Sequence, residues 1–294
     1  MDNLTVWYIG IFVIDIAIAV AALIGLRYAM ALFTGVHVKD ELDKKDNFAF
    51  GTVIAGAVFA LALVLSAAIT GDAAGSFQHE VINVLLYSII GIVLLKIGLL
   101  VQESVILRRF SVREQLQGSN MAVAIVIAAN LIAVGLIIRS AMSWVEADDY
   151  TGLPAVGVVF VASQIILLLV TLLRSKVYAS RHSGASWQDA IKNGNAALAL
   201  RYAGQIIATA LTLTATGGLI NYLPNQLHQV AIAWLGLGIV ALLTLWLLYR
   251  ITLPVILTGI NIVEEVDDQQ NMGIAWIEAS IFMAMAVLLN AFLL

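Results

Sequence analysis

Apolar residues dominate this chain in eight long runs of 20 residues or more, separated by short polar intervals, at about 6–33, 48–70, 81–107, 121–144, 153–178, 196–220, 229–262 and 272–294. A stretch of about 20 apolar residues is the length of helix that crosses the hydrocarbon core of a bilayer. Lipid offers no partner to an unpaired backbone N–H or C=O, which excludes open strands, and the runs are too long and unalternating for barrel strands. The pattern therefore predicts an all-α polytopic membrane protein of eight transmembrane helices. The first run, from Trp7 to Phe33, is too long for a signal-peptide core and reads as a retained helix.

The polar intervals carry a repeat. One asparagine stands at the mouth of every even-numbered helix, Asn47, Asn120, Asn195 and Asn271, in steps of 73, 75 and 76 residues. Four residues after it comes Gly51, Ala124, Ala199 or Ala275. Eight after, alanine recurs every time (Ala55, Ala128, Ala203, Ala279), and nine after stands Gly56, Ala129, Gly204 or Ser280. Six residues before it there is always an acid: Glu41, Glu114, Asp189 and Glu265. An asparagine where the chain enters a helix can accept a hydrogen bond from an orphaned backbone N–H. The small columns give each even helix two faces that neighbouring helices can approach closely in lipid, so the even helices are expected to form an inner layer. The acids favour the positive helix end or attract cations.

Basic residues fix an expected orientation. The loops after helices one, three and five hold ten of them, among them Lys39, Arg108 and Arg181, while Gly71–Glu80, Val145–Gly152 and Asn221–His228 hold none and Asp72, Glu146, Asp148 and Asp149 lie there instead. The positive-inside rule then places both termini outside and the loops within each pair in the cytoplasm. All four pairs enter from one side, so they are parallel helical-hairpin repeats, N-out and C-out, compatible with a fourfold pseudo-symmetric ring or with two lobes of four helices.

Composition narrows the function classes. At 62% hydrophobic and 12% charged, with a mean hydropathy of +0.99, the 294 residues belong in lipid. There is no cysteine, which removes thiolate catalysis and thiolate metal sites. A net charge of −4 with scattered basic residues points away from nucleic acid. His37, His79, His182 and His228 lie at membrane edges without metal-ligand spacing, and neither a phosphate-cradling glycine loop nor a nucleophile elbow occurs. No enzyme, cofactor or metal site is expected.

Ionisable and polar residues within the spans are the remaining candidates. Arg27, Arg139 and Arg201 lie near enough to helix ends to snorkel. Lys96 and Arg250 sit close to mid-membrane, and the short stems of Asp15 and Glu278 cannot reach water easily; they read as structural ion pairs or as part of a solute path. On helix six, Arg201, Gln205, Thr209, Thr212 and Thr216 fall within an arc of about 80°, a polar stripe matched in angle by Asn130 on helix four and approached by Glu278 on helix eight. Threonines also satisfy themselves against the preceding turn. The acidic cluster Glu264, Glu265, Asp267 and Asp268 reads as a solvated loop or a weak cation site.

The asparagine and small-residue columns resemble those of the YjfL-like inner-membrane family of bacteria, known as domain of unknown function 350, in two tandem copies at about 1–150 and 151–294. That resemblance supplies no catalytic residue. It implies the bacterial inner membrane and a physiological setting of envelope stress or polyamines. Two functions are expected from these readings: passage or sensing of an ion or small cationic solute such as a polyamine, through Asp15, Lys96, Asn130, Arg201, Gln205, Thr209 and Glu278; or a non-conducting scaffold that recruits cytoplasmic stress proteins through the repeated loop acids.

Overall fold

The computed structural model describes residues 3–34, 38–70, 76–145 and 150–293. His37, Asp72, Glu146, Asp148 and Asp149, together with the side chain of Arg27, lie outside the described residues. Eight helices are long and apolar enough to cross a membrane: α1 (Asn3–Thr34), α2 (Phe48–Ala68), α3 (Phe77–Val105), α5 (Met121–Trp144), α6 (Leu153–Arg181), α8 (Ala196–Thr216), α9 (Leu227–Ile256) and α10 (Met272–Leu293). Two short helices, α4 (Val112–Gln117) and α7 (Trp187–Lys192), precede the second and third asparagines, and single wide turns, Asp40–Lys44 and Glu264–Asp268, precede the first and fourth. Two of the expected spans are too long at their ends. The helix expected to run to 262 stops at Ile256, and Gly259, three residues on, takes a left-handed φ of 76° that turns the chain away from the helix. The one expected to reach 220 gives way after Thr216 to a tighter turn through the glycine pair Gly217–Gly218.

The described helices form two layers. The inner layer is an open row in the order α2, α5, α8, α10, with α2 and α10 at its two ends rather than against each other. The central members are buried along 78% of their spans, against 28% for α9 of the outer layer. In that outer layer α3 lies in the groove between α2 and α5, α6 between α5 and α8, and α9 between α8 and α10.

Small residues make the inner row possible. A Cβ added to Gly56 would stand 2.7 Å from the Cα of Ala128, and one added to Gly204 would stand 2.4 Å from the Cα of Ala279. At the α2–α5 and α8–α10 seams the position nine after one asparagine thus packs on the position eight after the next. Close backbone approach of this kind supplies the dispersion contact that holds helices together where lipid removes the hydrophobic drive.

At one end the asparagines tie the repeats together. Each accepts through Oδ1 from the backbone N–H three residues on, Phe50, Val123, Leu198 or Ile274, and so caps its own helix. Through Nδ2 the first three also donate across the seam, to the carbonyl four residues before the following asparagine: Asn47 to Leu116 (2.7 Å), Asn120 to Ile191 (3.2 Å) and Asn195 to Asp267 (3.0 Å). The residue before each asparagine, Asp46, Ser119, Gly194 or Gln270, takes a left-handed φ of 47°, 57°, 89° or 56° that reverses the chain into the helix. Only the third is the glycine that such a backbone favours.

Candidate functional site

Polar interior residues concentrate at the asparagine-capped end of the second half. Arg201, one turn and a half into α8, projects between α10 and the turn that precedes it. Its Nε donates to Glu278 Oε2 at 2.6 Å, Nη2 donates to the Ile262 carbonyl at 2.9 Å, and Nη1 pairs with Asp267. Tyr249 of α9 donates its hydroxyl to the other Glu278 oxygen at 2.6 Å. Both carboxylates are almost wholly enclosed, with 2% and 3% of their side chains exposed. One guanidinium is therefore shared by two buried anions, a charge-assisted network whose members would each be costly to leave alone. Burial pushes the Asp267 carboxyl above the usual carboxylate range, offset in part by Arg201 and by the His182 ring at 3.7 Å.

This network forms one wall of a cavity of about 720 Å³ bounded by α6, α8, α9 and α10. α6 and α9 are joined beyond its far end, where Trp234 donates to Ser163 Oγ at 3.0 Å and Gly238 packs on Ile166. From there towards the capped end, the cavity lies between them. Leu169 and Leu173 of α6 and Leu243 and Trp246 of α9 line the cavity yet remain exposed, so it opens sideways between these helices into what would be lipid. The deep wall adds Tyr202, whose hydroxyl donates to Asn130 Oδ1 at 2.7 Å and whose ring packs on Trp187.

Four guanidinium groups line the cavity, Arg174, Arg181, Arg201 and Arg250, against two carboxylates, Asp267 and Glu278. Arg201 consumes both carboxylates. Arg174, half-buried on α6, has its guanidinium 5.2 Å from the centre of the Phe282 ring and, among the described residues, neither an ion pair nor a hydrogen bond. Arg250 lies 5.7 Å over the exposed ring of Trp246 at the mouth. An apolar slot with excess basic charge at one end suits a molecule with an apolar body and an anionic head.

The residues singled out from sequence are distributed as follows. Arg201, Gln205, Thr209, Arg250 and Glu278 face this cavity together. Asn130 joins through Tyr202, and its Nδ2 has no partner. Thr209 and Thr216 bond to carbonyls of their own helix, at 2.8 and 2.7 Å, and Thr212 is fully buried with its hydroxyl unpartnered. Asp15, buried on α1 beside Glu80, and Lys96, half-buried on α3 near Glu103, stand in the other half of the molecule. Among the loop acids, Glu41 and Glu265 accept from their own asparagines at 2.9 and 2.8 Å. Asp189 pairs with Arg109 at 2.9 Å. Beside Glu114 it is Gln115 that binds Asn120, at 2.8 Å.

Arg174, Tyr202 and Tyr249 were not among the residues expected to line a site, and Asp267 was expected only within an acidic loop cluster. Arg174 counts as a loop cation by position, and Asp267 belongs to a run of acids in which nothing marks the one that turns inward.

Comparison with known proteins adds the family. A UPF0719 transmembrane protein of Aquifex aeolicus (strain VF5) is 26% identical over 103 residues, a match that covers 35% of this chain and 38% of that relative's length. No solved structure matches. The family described as Domain of Unknown Function (DUF350) matches residues 3–142 and again 148–293, and this multi-pass membrane protein belongs to it, with two copies of the domain in one chain.

Proposed function

We propose that the second domain copy binds an amphiphile with an anionic head, a lipid or lipid-like molecule, which enters from the bilayer between α6 and α9. Arg174 carries this reading: a guanidinium in an apolar, laterally open cavity, without an anion of its own, is a group that a ligand's phosphate or carboxylate would satisfy. Charge distinguishes this from passage of a small cation. Both cavity carboxylates already face Arg201, and the groups left over are basic. The threonines continuing along α8 beyond Thr209 turn their hydroxyls to their own backbone or to packed interior, which is poor lining for an ion path. The positive-inside pattern puts the capped end, and so the head group, at the cytoplasmic face of a bacterial inner membrane.

The test is retention of lipid. Purified protein is exchanged into mixed micelles containing an anionic and a zwitterionic phospholipid of equal chain length, and bound lipid is read by native mass spectrometry. Selective retention of the anionic lipid is expected, reduced at least tenfold by Arg174→Gln and restored in part by Arg174→Lys. Equal retention of both lipids, unaffected by Arg174→Gln, would sink the proposal. Flux of potassium, sodium, protons or spermidine through liposomes, sensitive to Glu278→Gln, would favour the cation reading instead. Neither binding nor flux would leave the scaffold reading, in which Glu41, Glu114, Asp189 and Glu265 matter for partner recruitment.

A further inference from the structure

The inner row is built by one rule applied three times, and the rule is left unfinished at both ends. Each seam between neighbouring even helices carries an asparagine Nδ2 to the carbonyl four residues before the next asparagine, and the α2–α5 and α8–α10 seams also set position nine of one repeat on position eight of the next. The middle seam, α5 to α8, is also the joint between the two domain copies, so one copy is already seen to receive another in this register. At the α10 end, position nine is Ser280, which is exposed, whereas Gly56, Ala129 and Gly204 are covered. Asn271 is exposed too, and its Nδ2 falls back on its own Glu265. At the α2 end, position eight is Ala55, exposed, whereas Ala128 and Ala279 are buried and Ala203 is half-buried.

The outer layer breaks off in matching fashion. α3, α6 and α9 each bridge two inner helices, while α1 packs on α2 and has no preceding inner helix to bridge. Asp15, buried on α1, keeps a carboxylate oxygen without a hydrogen-bond partner among the described residues. The two ends of the molecule are thus the two halves of the interface that occurs three times inside it.

We infer that a second copy of this chain completes both ends: α10 of one copy docks on α2 of the next, Ser280 against Ala55 and Asn271 Nδ2 on the Asp43 carbonyl, with α1 closing over the seam. Such a contact is head-to-tail, and because all repeats run the same way across the membrane, successive copies are related by rotation about the membrane normal and close into a ring where the angle permits.

The lack of native cysteine makes the test direct. Ala55→Cys and Ser280→Cys are made singly with different tags and also in one chain, and membranes are treated with a short thiol cross-linker. A covalent dimer is expected from the two single variants co-expressed and from neither alone, with a ladder or a closed species from the double variant that gives the ring size. Dimer formation by S280C alone, as strong as in the mixture, would mean a twofold contact and overturn the inference. Absence of any cross-link would overturn it as well, provided R109C with D189C, across the ion pair between the two domain copies, closes within one chain under the same conditions. The unmodified protein gives a second measurement: light scattering in mild detergent should find oligomers whose population Ser280→Trp lowers at least tenfold and Val240→Trp, on the lipid-facing side of α9, leaves unchanged. A monomer at every concentration would overturn the head-to-tail contact.

Discussion

The two domain copies share a backbone plan and differ in what fills it. Six residues after its asparagine, α8 carries Arg201 where α2 carries Val53. Seven after, α10 carries Glu278 where α5 carries Ile127, and four before, Asp267 stands where the first copy has Leu116. All three first-copy residues, Val53, Ile127 and Leu116, are 2% exposed, so the first copy closes with an apolar plug where the second holds an ion cluster beside a cavity. The seam residues Gly56 and Gly204 meanwhile do the same work in both. The first copy has charges in its spans as well, Asp15 on α1 and Lys96 on α3, but the second gathers Arg201, Asp267 and Glu278 into one ion cluster at the cavity wall.

The largest effect should come from breaking the cluster while leaving its anions in place. Arg201→Met strands two buried carboxylates and is expected to cost about 3–5 kcal/mol, read as a lowered melting temperature in detergent. Giving the second copy the first copy's residues, Arg201→Val with Asp267→Leu and Glu278→Ile, plus Tyr249→Phe so that no hydroxyl is orphaned, should recover wild-type stability or exceed it, because apolar replacement of a whole buried ion cluster is often neutral or stabilising. Because Arg174, Arg181 and Arg250 stay in the cavity while two carboxylates leave it, the same protein should keep its selective retention of anionic lipid. If the full swap is as unstable as Arg201→Met, the cavity is not an optional addition to a common frame, and the contrast between the copies fails.

The seam predicts equality where the cluster predicts difference. Gly204→Ala and Gly56→Ala each put a methyl group against a neighbouring helix backbone, at 2.4 and 2.7 Å, which α8–α10 or α2–α5 can accommodate only by moving apart. A cost of about 1–3 kcal/mol is expected at both. Gly157→Ala, with open space around the new carbon, should be neutral or slightly stabilising. Melting curves of the three variants check this, and a large cost at Gly157 or none at the other two would mean that close helix approach is not what holds the row.

Sequence reading reached the frame because its signals are local or periodic. Runs of apolar residues mark the spans, and an asparagine followed at eight and nine by small residues marks both the caps and the faces that pack. It reached the cluster only in part. Arg201 and Glu278 stand out as charges inside spans, but their pairing depends on the registry of α8 against α10, which no single helix encodes. Arg174 looks like an end-of-helix cation until the splay of α6 from α9 gives it a cavity. Asp15 and Lys96 share the chemistry of the site and none of its location, since depth in the membrane says nothing about position around the bundle. The ring or two lobes expected from four parallel hairpins became an open row because the outer helices wedge between successive inner ones.

The capping asparagines separate an interior repeat from a terminal one. Asn195→Ala removes both a helix cap and the bond across the seam to Asp267, and an expected loss of about 2 kcal/mol combines a cap of about 1 with a buried hydrogen bond of similar size. Asn271→Ala removes the cap alone, because its Nδ2 reaches only its own loop, and should cost about 1 kcal/mol. Unfolding in detergent in a Ser280→Trp background, which keeps copies apart, is the proper comparison. In assembled membranes the two losses should approach each other if Asn271 finds the next copy.

The smallest effect, and the one that sets the two loops against each other, is the response to pH. Hydrogen bonds from Lys45 at 2.7 Å and Asn47 at 2.9 Å hold the Glu41 carboxyl below its usual range. A depressed folded pKa gives stability that is present above the unfolded value of about 4.3 and is lost as pH falls through the folded one. The advantage of wild type over Glu41→Gln should therefore shrink on acidification. Asp267 shifts the other way, raised by burial. Its contribution is fully present below the unfolded value of about 3.9 and is lost as pH rises through the folded one, so wild type should gain on Asp267→Asn as pH falls from 7. Melting-temperature differences taken between pH 7 and 4 should slope in opposite directions for the two variants. Slopes of the same sign would mean that Asp267 is held ionised by Arg201 as firmly as Glu41 is by Lys45, and that the second copy's loop is no more electrostatically strained than the first's.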